Sequence, residues 1–227
     1  MELIILRRHV VRKDGTVLVA ARGENEGKPY ALSVEVAANV TQKEAAEVYR
    51  DPSVEMVAPG MPVYAIKPLE AGPSEPTEPP RISWGIEAVG ADQSPYTGAG
   101  VIVAVLDTGI NRKHPAFEGM NIVEENFTSG GAADDTGHGT HCAGIIFGRD
   151  DTSGRRVGIA RGIKQALIGK VFGPGGSTTG SIVKAVYWAM QKEAHVISMS
   201  LGMDFTRHRE YLKENFGHND LVATSIA

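Results

Sequence analysis

The chain has 227 residues, 42% hydrophobic and 22% charged, with a formal net charge of -4. That is the composition of a soluble globular protein of one medium domain, or one domain with a small appendage. It offers no basic face for nucleic acid, and a single cysteine, Cys142, excludes an internal disulfide.

The apolar run before Arg7, Arg8 and His9 is four residues long, Leu3 to Leu6. A secretory core needs roughly 7–15 apolar residues, and no run approaches the ~18 of a membrane span. The expected location is therefore cytoplasmic, with no membrane partner. Short β-branched runs at Val17–Ala21 and Ala31–Val36 predict strands on either side of a turn-rich GENEGKP stretch. Thr41, with Glu44 three residues on, predicts a capped helix running to Arg50, which Asp51-Pro52 stops. Val54–Ala58 and Val63–Ile66 predict two more strands around Pro59-Gly60. Residues 1–70 thus form a small α+β domain. The proline-rich segment 71–80 has no apolar side chain larger than alanine apart from its prolines, and reads as an extended linker.

From 81 to 227 the pattern becomes alternating strands and helices. Val101–Leu106 is apolar throughout, as expected of a strand buried on both faces of a parallel sheet. Gln165–Val171 and His195–Ser200 are two more of the same kind. Between them Ile182, Val183, Val186, Ala189 and Met190 recur at helical spacing. The β–α–β order predicts a doubly wound, mostly parallel α/β fold. Ligands in such sheets bind beyond the carboxyl ends of strands, where Asp107 falls.

Asp107 opens Asp107-Thr108-Gly109, which alone also fits one half of an aspartic protease, where two carboxylates share a proton, or a strand-end Asp capping a turn. His138 stands in GHGTHCAG, flanked by Gly137 and Gly139 at a predicted helix start. An imidazole there can take a proton from a hydroxyl while a carboxylate fixes its tautomer. A zinc reading would use His138, His141 and Cys142 with His114 and Asp134, but the two-histidine helix motif with its intervening Glu is absent.

VIVAVLDTGI, DDTGHGTHCAG and SMSLG together resemble the subtilisin-like serine proteases, with HGTHCAG closest to the proteinase-K-like version. WGIEAVGA and YTGAGV extend the resemblance from Arg81 to about Met203. It implies serine-type peptide-bond hydrolysis, with Asp107 as the orienting acid and His138 as the general base. It further implies that Ser200, Leu201 and Gly202 form a strand edge pairing with substrate backbone, faced by Gly176 and Ser177. The N-terminal unit occupies the place of the family's propeptide.

The family's oxyanion Asn motif and its G-T-S-M-A serine motif have no match. Ser225 is a weak candidate nucleophile, with only two residues after it and no preceding glycine; Asn219 is a still weaker oxyanion donor. The expectation is a fragment of a serine endopeptidase, inactive by itself, or alternatively a catalytically dead module that holds peptides or proteins. Its partners would be a peptide or protein substrate and a C-terminal segment or second chain completing the domain. The chemistry requires no cofactor and assigns no metal ligand. Asp134, Asp135, Asp150 and Asp151 are the candidates for a structural calcium, against the plainer reading of solvated loop charge.

Overall fold

The computed structural model describes residues 1–11, 17–19, 30–66, 81–150, 153–202, 209–210 and 213–214. The linker at 71–80, Asn219 and Ser225 lie outside the described residues. Contacts group Met1–Pro62 with Thr178–Lys184 in one unit, and Val63–Ser177 with Ala185–Gly202 in another.

The first unit is built on β1 (Leu3–Val11), which pairs antiparallel with β2 (Val17–Val19), β3 (Tyr30–Ala37) and β4 (Val54–Pro59). Its helix α1 (Gln42–Arg50) starts at the predicted cap. The Thr41 N–H donates to Glu44 Oε2 (2.8 Å), and the Glu44 N–H donates to Thr41 Oγ1 (3.3 Å), an arrangement worth about 1 kcal/mol. Ala45 closes a small core with Leu3, Ile5, Val54 and Val57. The central strand β1 is not apparent from periodicity, because Arg7 and Arg8 interrupt it. Both are paired across the sheet, Arg7 with Glu35 and Asp51, and Arg8 with Glu55.

The second unit begins at Val63, within β5 (Pro62–Ala65). Helix α2 (Trp84–Ala88) leads to β6 (Ile102–Asp107), and a 3-10 turn at Pro115–Phe117 leads to β7 (Ile122–Asn126). Then follow α3 (His138–Phe147), β8 (Gln165–Lys170), β9 (Ser177–Thr178), α4 (Thr179–Gln191), β10 (Val196–Met199) and β11 (Leu201–Gly202).

Four of these strands form a parallel sheet in the order β10-β6-β8-β7. Every residue of β6 is buried, and its alternating side chains serve two cores. Val103 and Val105 face Phe117, Ala143 and Phe147. Ile102 and Ala104 face Leu167, Ala189 and Trp188. Helices α3 and α4 therefore cover opposite faces, as a doubly wound fold requires. The strand order reverses at β6, with β8 and β7 on one side and β10 on the other. The carboxyl end of β6 is thus the switch point where such sheets place their sites.

The stripe predicted for α4 is corrected in one place. Ala185 and Ala189 are fully buried, but Met190 is 62% exposed, because the small alanines define the line of closest approach to the sheet. Among the described residues β10 pairs with β6 alone, and its Val196 and Met199 are about half exposed. No helix among the described residues is long and apolar enough to cross a membrane.

Candidate active site

Asp107 is the last residue of β6 and His138 the first of α3. Gly137 caps that helix in a left-handed conformation (φ 81°), which glycine adopts without a Cβ penalty. Gly139 allows the helix to reach the strand end: a Cβ there would collide with the Gly109 carbonyl oxygen and lie 3.2 Å from Asp107 Cβ.

The result is a direct contact, His138 Nδ1 to Asp107 Oδ1 at 2.7 Å. Asp107 is wholly buried, whereas the His138 side chain is 13% exposed. Asp107 Oδ1 also accepts from the Thr108 N–H (2.7 Å), and Oδ2 is buried with no hydrogen-bond partner among the described residues. An ionised Asp107 makes Nδ1 the donor, so Nε2 presents its lone pair for a proton. The structure therefore brings together the two residues singled out from sequence, in a geometry suited to general-base chemistry.

Cys142 lies beside this pair. Its Sγ is 3.9 Å from His138 Nδ1 and 4.0 Å from Nε2, nearly equidistant and so not in line with either nitrogen. It also lies 3.6 Å from Ser200 Oγ. Burial pushes the Cys142 thiol up; Ser200 works against that shift, while Asp107 and Asp134 add to it. A protonated thiol in that position is a packing group rather than a nucleophile. Donor atoms of Asp107, His138 and Cys142 fall within 4.8 Å of one another. As a metal set they would need Cys142 as thiolate, and Nδ1 is already committed to Asp107.

The segments predicted to hold substrate backbone flank β5. Leu201 and Gly202 pair antiparallel with Ala65 and Tyr64, and the Ile66 N–H donates to Ser200 O (3.4 Å). On its other side β5 neighbours β9, which Ser177 opens, giving the order β11-β5-β9. Gly176, with φ 81°, turns the chain into β9. A cleft of about 780 Å³ runs beside these strands, lined by Val63, Ile66, His138, Lys170, Phe172 and Gly176 among others.

The acidic residues that sequence offers only as metal candidates or loop charge have protein partners in the structure. Asp134 accepts hydrogen bonds from Thr108, Thr136, Gly137 and Thr140. Lys170, buried at the end of β8, donates to the Ala133 carbonyl and to Asp135 Oδ2 (2.9 Å). Asp150 forms a two-pronged pair with Arg161. Asp134 is thus not a loosely solvated loop charge, whereas Asp135 and Asp150 are paired yet exposed, their side chains 57% and 40% accessible, and keep the character of surface loop charge. Asp151 lies outside the described residues. The spacing of Asp134 four residues before His138 was the only local signal.

These features coincide with a known family. The Peptidase S8 (subtilase family) model matches residues 98–222, and the chain belongs to the subtilase family. Subtilisin DY of Bacillus licheniformis is 35% identical over 126 residues, covering 53% of this chain and 45% of that protein. The thermostable alkaline protease of Halalkalibacterium halodurans is 29% identical over 168 residues, 73% of this chain and 42% of that one. Fervidolysin from Fervidobacterium pennivorans, a keratinolytic enzyme related to subtilisin, aligns in three dimensions with a TM-score of 0.58 at 24% identity. That alignment covers 89% of this chain and 36% of fervidolysin, a likeness of fold. The chain spans less than half the length of each of these relatives.

Proposed function

We propose that this chain carries the acid–base part of a subtilisin-like serine endopeptidase. In this reading Asp107 is the orienting acid, His138 the general base, and the edges at Ser200–Gly202 and Gly176–Ser177 receive substrate backbone. The observation that carries it is the 2.7 Å contact between His138 Nδ1 and buried Asp107 Oδ1 at the sheet's switch point.

A serine hydroxyl brought to His138 Nε2 would lose its proton to the imidazole as its oxygen bonds to the scissile carbonyl carbon. The imidazolium, stabilised by Asp107, would then give that proton to the departing amine as the C–N bond breaks. Water, activated the same way, would release the acyl group and restore the serine. The nucleophile is assigned to a part of the protease that the matched stretch does not cover, and the 227-residue chain alone is expected not to hydrolyse peptides.

One observation favours a second reading, a module that holds peptides without cutting them. The Leu201–Gly202 edge already holds a strand, Tyr64–Ala65, as a substrate would be held by β-augmentation. Joining this chain to the part of Subtilisin DY beyond the matched stretch separates the two. Hydrolysis of a chromogenic peptide by the joined protein supports the protease; saturable peptide binding without hydrolysis supports the holding module.

A further inference from the structure

We propose that Asp134 is a positioning residue, which sets the distance between Asp107 and His138 by clamping the start of α3 to the end of β6. The inference rests on the functional reading above and deepens it.

The clamp is a closed set of hydrogen bonds. Asp134 Oδ1 accepts from Thr108 Oγ1 (2.8 Å), the Gly137 N–H (2.9 Å) and the Thr136 N–H (3.1 Å). Its Oδ2 accepts from the Thr140 N–H (2.9 Å) and the Thr140 hydroxyl. Each hydroxyl passes the connection on. Thr108 Oγ1 accepts from the Gly139 N–H (2.9 Å), and Thr140 Oγ1 accepts from the Asn111 N–H (2.8 Å). Thr108 and Asn111 follow β6, whereas Gly139 and Thr140 lie in the first turn of α3. One carboxylate therefore ties both segments together twice.

The geometry follows from adjacency. Asp107 precedes Thr108 and His138 precedes Gly139, so the Thr108–Gly139 bond lies one residue from the Asp107–His138 bond in both segments. A hydroxyl has a single proton; Thr108 gives its proton to Asp134, which leaves its lone pairs for Gly139. Removing the acceptor at Asp134 frees the Thr108 rotor and the link to α3 with it. Burial pushes the Asp134 carboxyl up, but the hydrogen bonds from Thr140, Thr108 and Gly137 outweigh it and hold the group below its ordinary value. The carboxylate is thus the form the network requires. Asp134→Asn would keep the shape but aim an N–H2 group at N–H and O–H donors.

The test uses the full 227-residue chain and proton NMR. An imidazole N–H shared with a carboxylate gives a far-downfield resonance, assigned here by its loss in Asp107→Asn. Asp134→Asn is expected to abolish it while the amide signals of β6 and β8 stay in place. Thr108→Val, which leaves Asp134 its donors from Thr136, Gly137 and Thr140 and so spares the loop, is expected to do the same. A resonance unshifted in either folded variant would overturn the inference, since a merely structural role for Asp134 would leave the imidazole proton alone. Absence of the resonance from the unsubstituted chain would overturn the functional reading beneath it, and the inference with it.

Discussion

Tyr64 and Gly202 lie opposite each other in an antiparallel pair, so a strand from the N-terminal half fills the edge that sequence assigns to substrate backbone. The pairing continues through Ala65 with Leu201 and the Ile66 N–H with Ser200 O. That edge is a row of backbone groups that would otherwise stand open. While β5 is paired there, no second strand can pair with the same side of that edge.

Replacing Ile66 with Pro removes one donor from this ladder. A single such bond is worth about 1 kcal/mol, so amide exchange at Gly202 should accelerate by about fivefold. An added peptide should bind correspondingly more tightly. Unchanged exchange at Gly202 would mean that β5 is held by its neighbours rather than by the ladder.

Gly139→Ala tests the close approach of α3 to β6. The new methyl group meets the Gly109 carbonyl, which is backbone and cannot swing aside. Overpacking of this kind costs about 1–3 kcal/mol. The urea midpoint should fall accordingly, and the downfield imidazole proton should be lost with it. A midpoint equal to that of the unsubstituted chain would show that helix and strand can separate freely.

The first unit should be sensitive to acid through Asp51. Hydrogen bonds from the Ser53 hydroxyl and backbone, then from Arg7, lower its carboxyl from 3.8 to about 2. A lowered folded value means that the unfolded chain binds the proton more readily. The stabilisation is then fully present above the unfolded value of 3.8 and is lost as pH falls towards about 2. Thermal melts across that window should show a falling Tm, with a shallower fall in Asp51→Asn. Identical slopes for the two proteins would contradict the assignment.

The sequence made the site's ends legible better than its walls. An unbroken apolar run ending in Asp107, and a glycine-flanked His138, are local signals, and both ends fell at the predicted places. Strand β1 was hidden because Arg7 and Arg8 are neutralised by Glu35, Asp51 and Glu55, partners 28 or more residues away. Strand β7 was hidden because Glu124 and Glu125 break the apolar run that Ile122 anchors in the core. Asp134 looked like surface charge because its value lies in Thr108 and Thr140, which come within reach only once α3 docks on β6. Long-range pairing of polar groups leaves no periodicity in the chain.

The central claim is that Asp107 and His138 supply the acid–base chemistry of peptide hydrolysis. The most direct measurement is kcat for a chromogenic peptide in the protein joined to the remaining part of Subtilisin DY, with and without His138→Ala. General-base loss costs about 10²–10⁴-fold, so the account predicts a fall in kcat of at least about a hundredfold, with KM little changed. A His138→Ala protein that hydrolyses the peptide at the unsubstituted rate would contradict it.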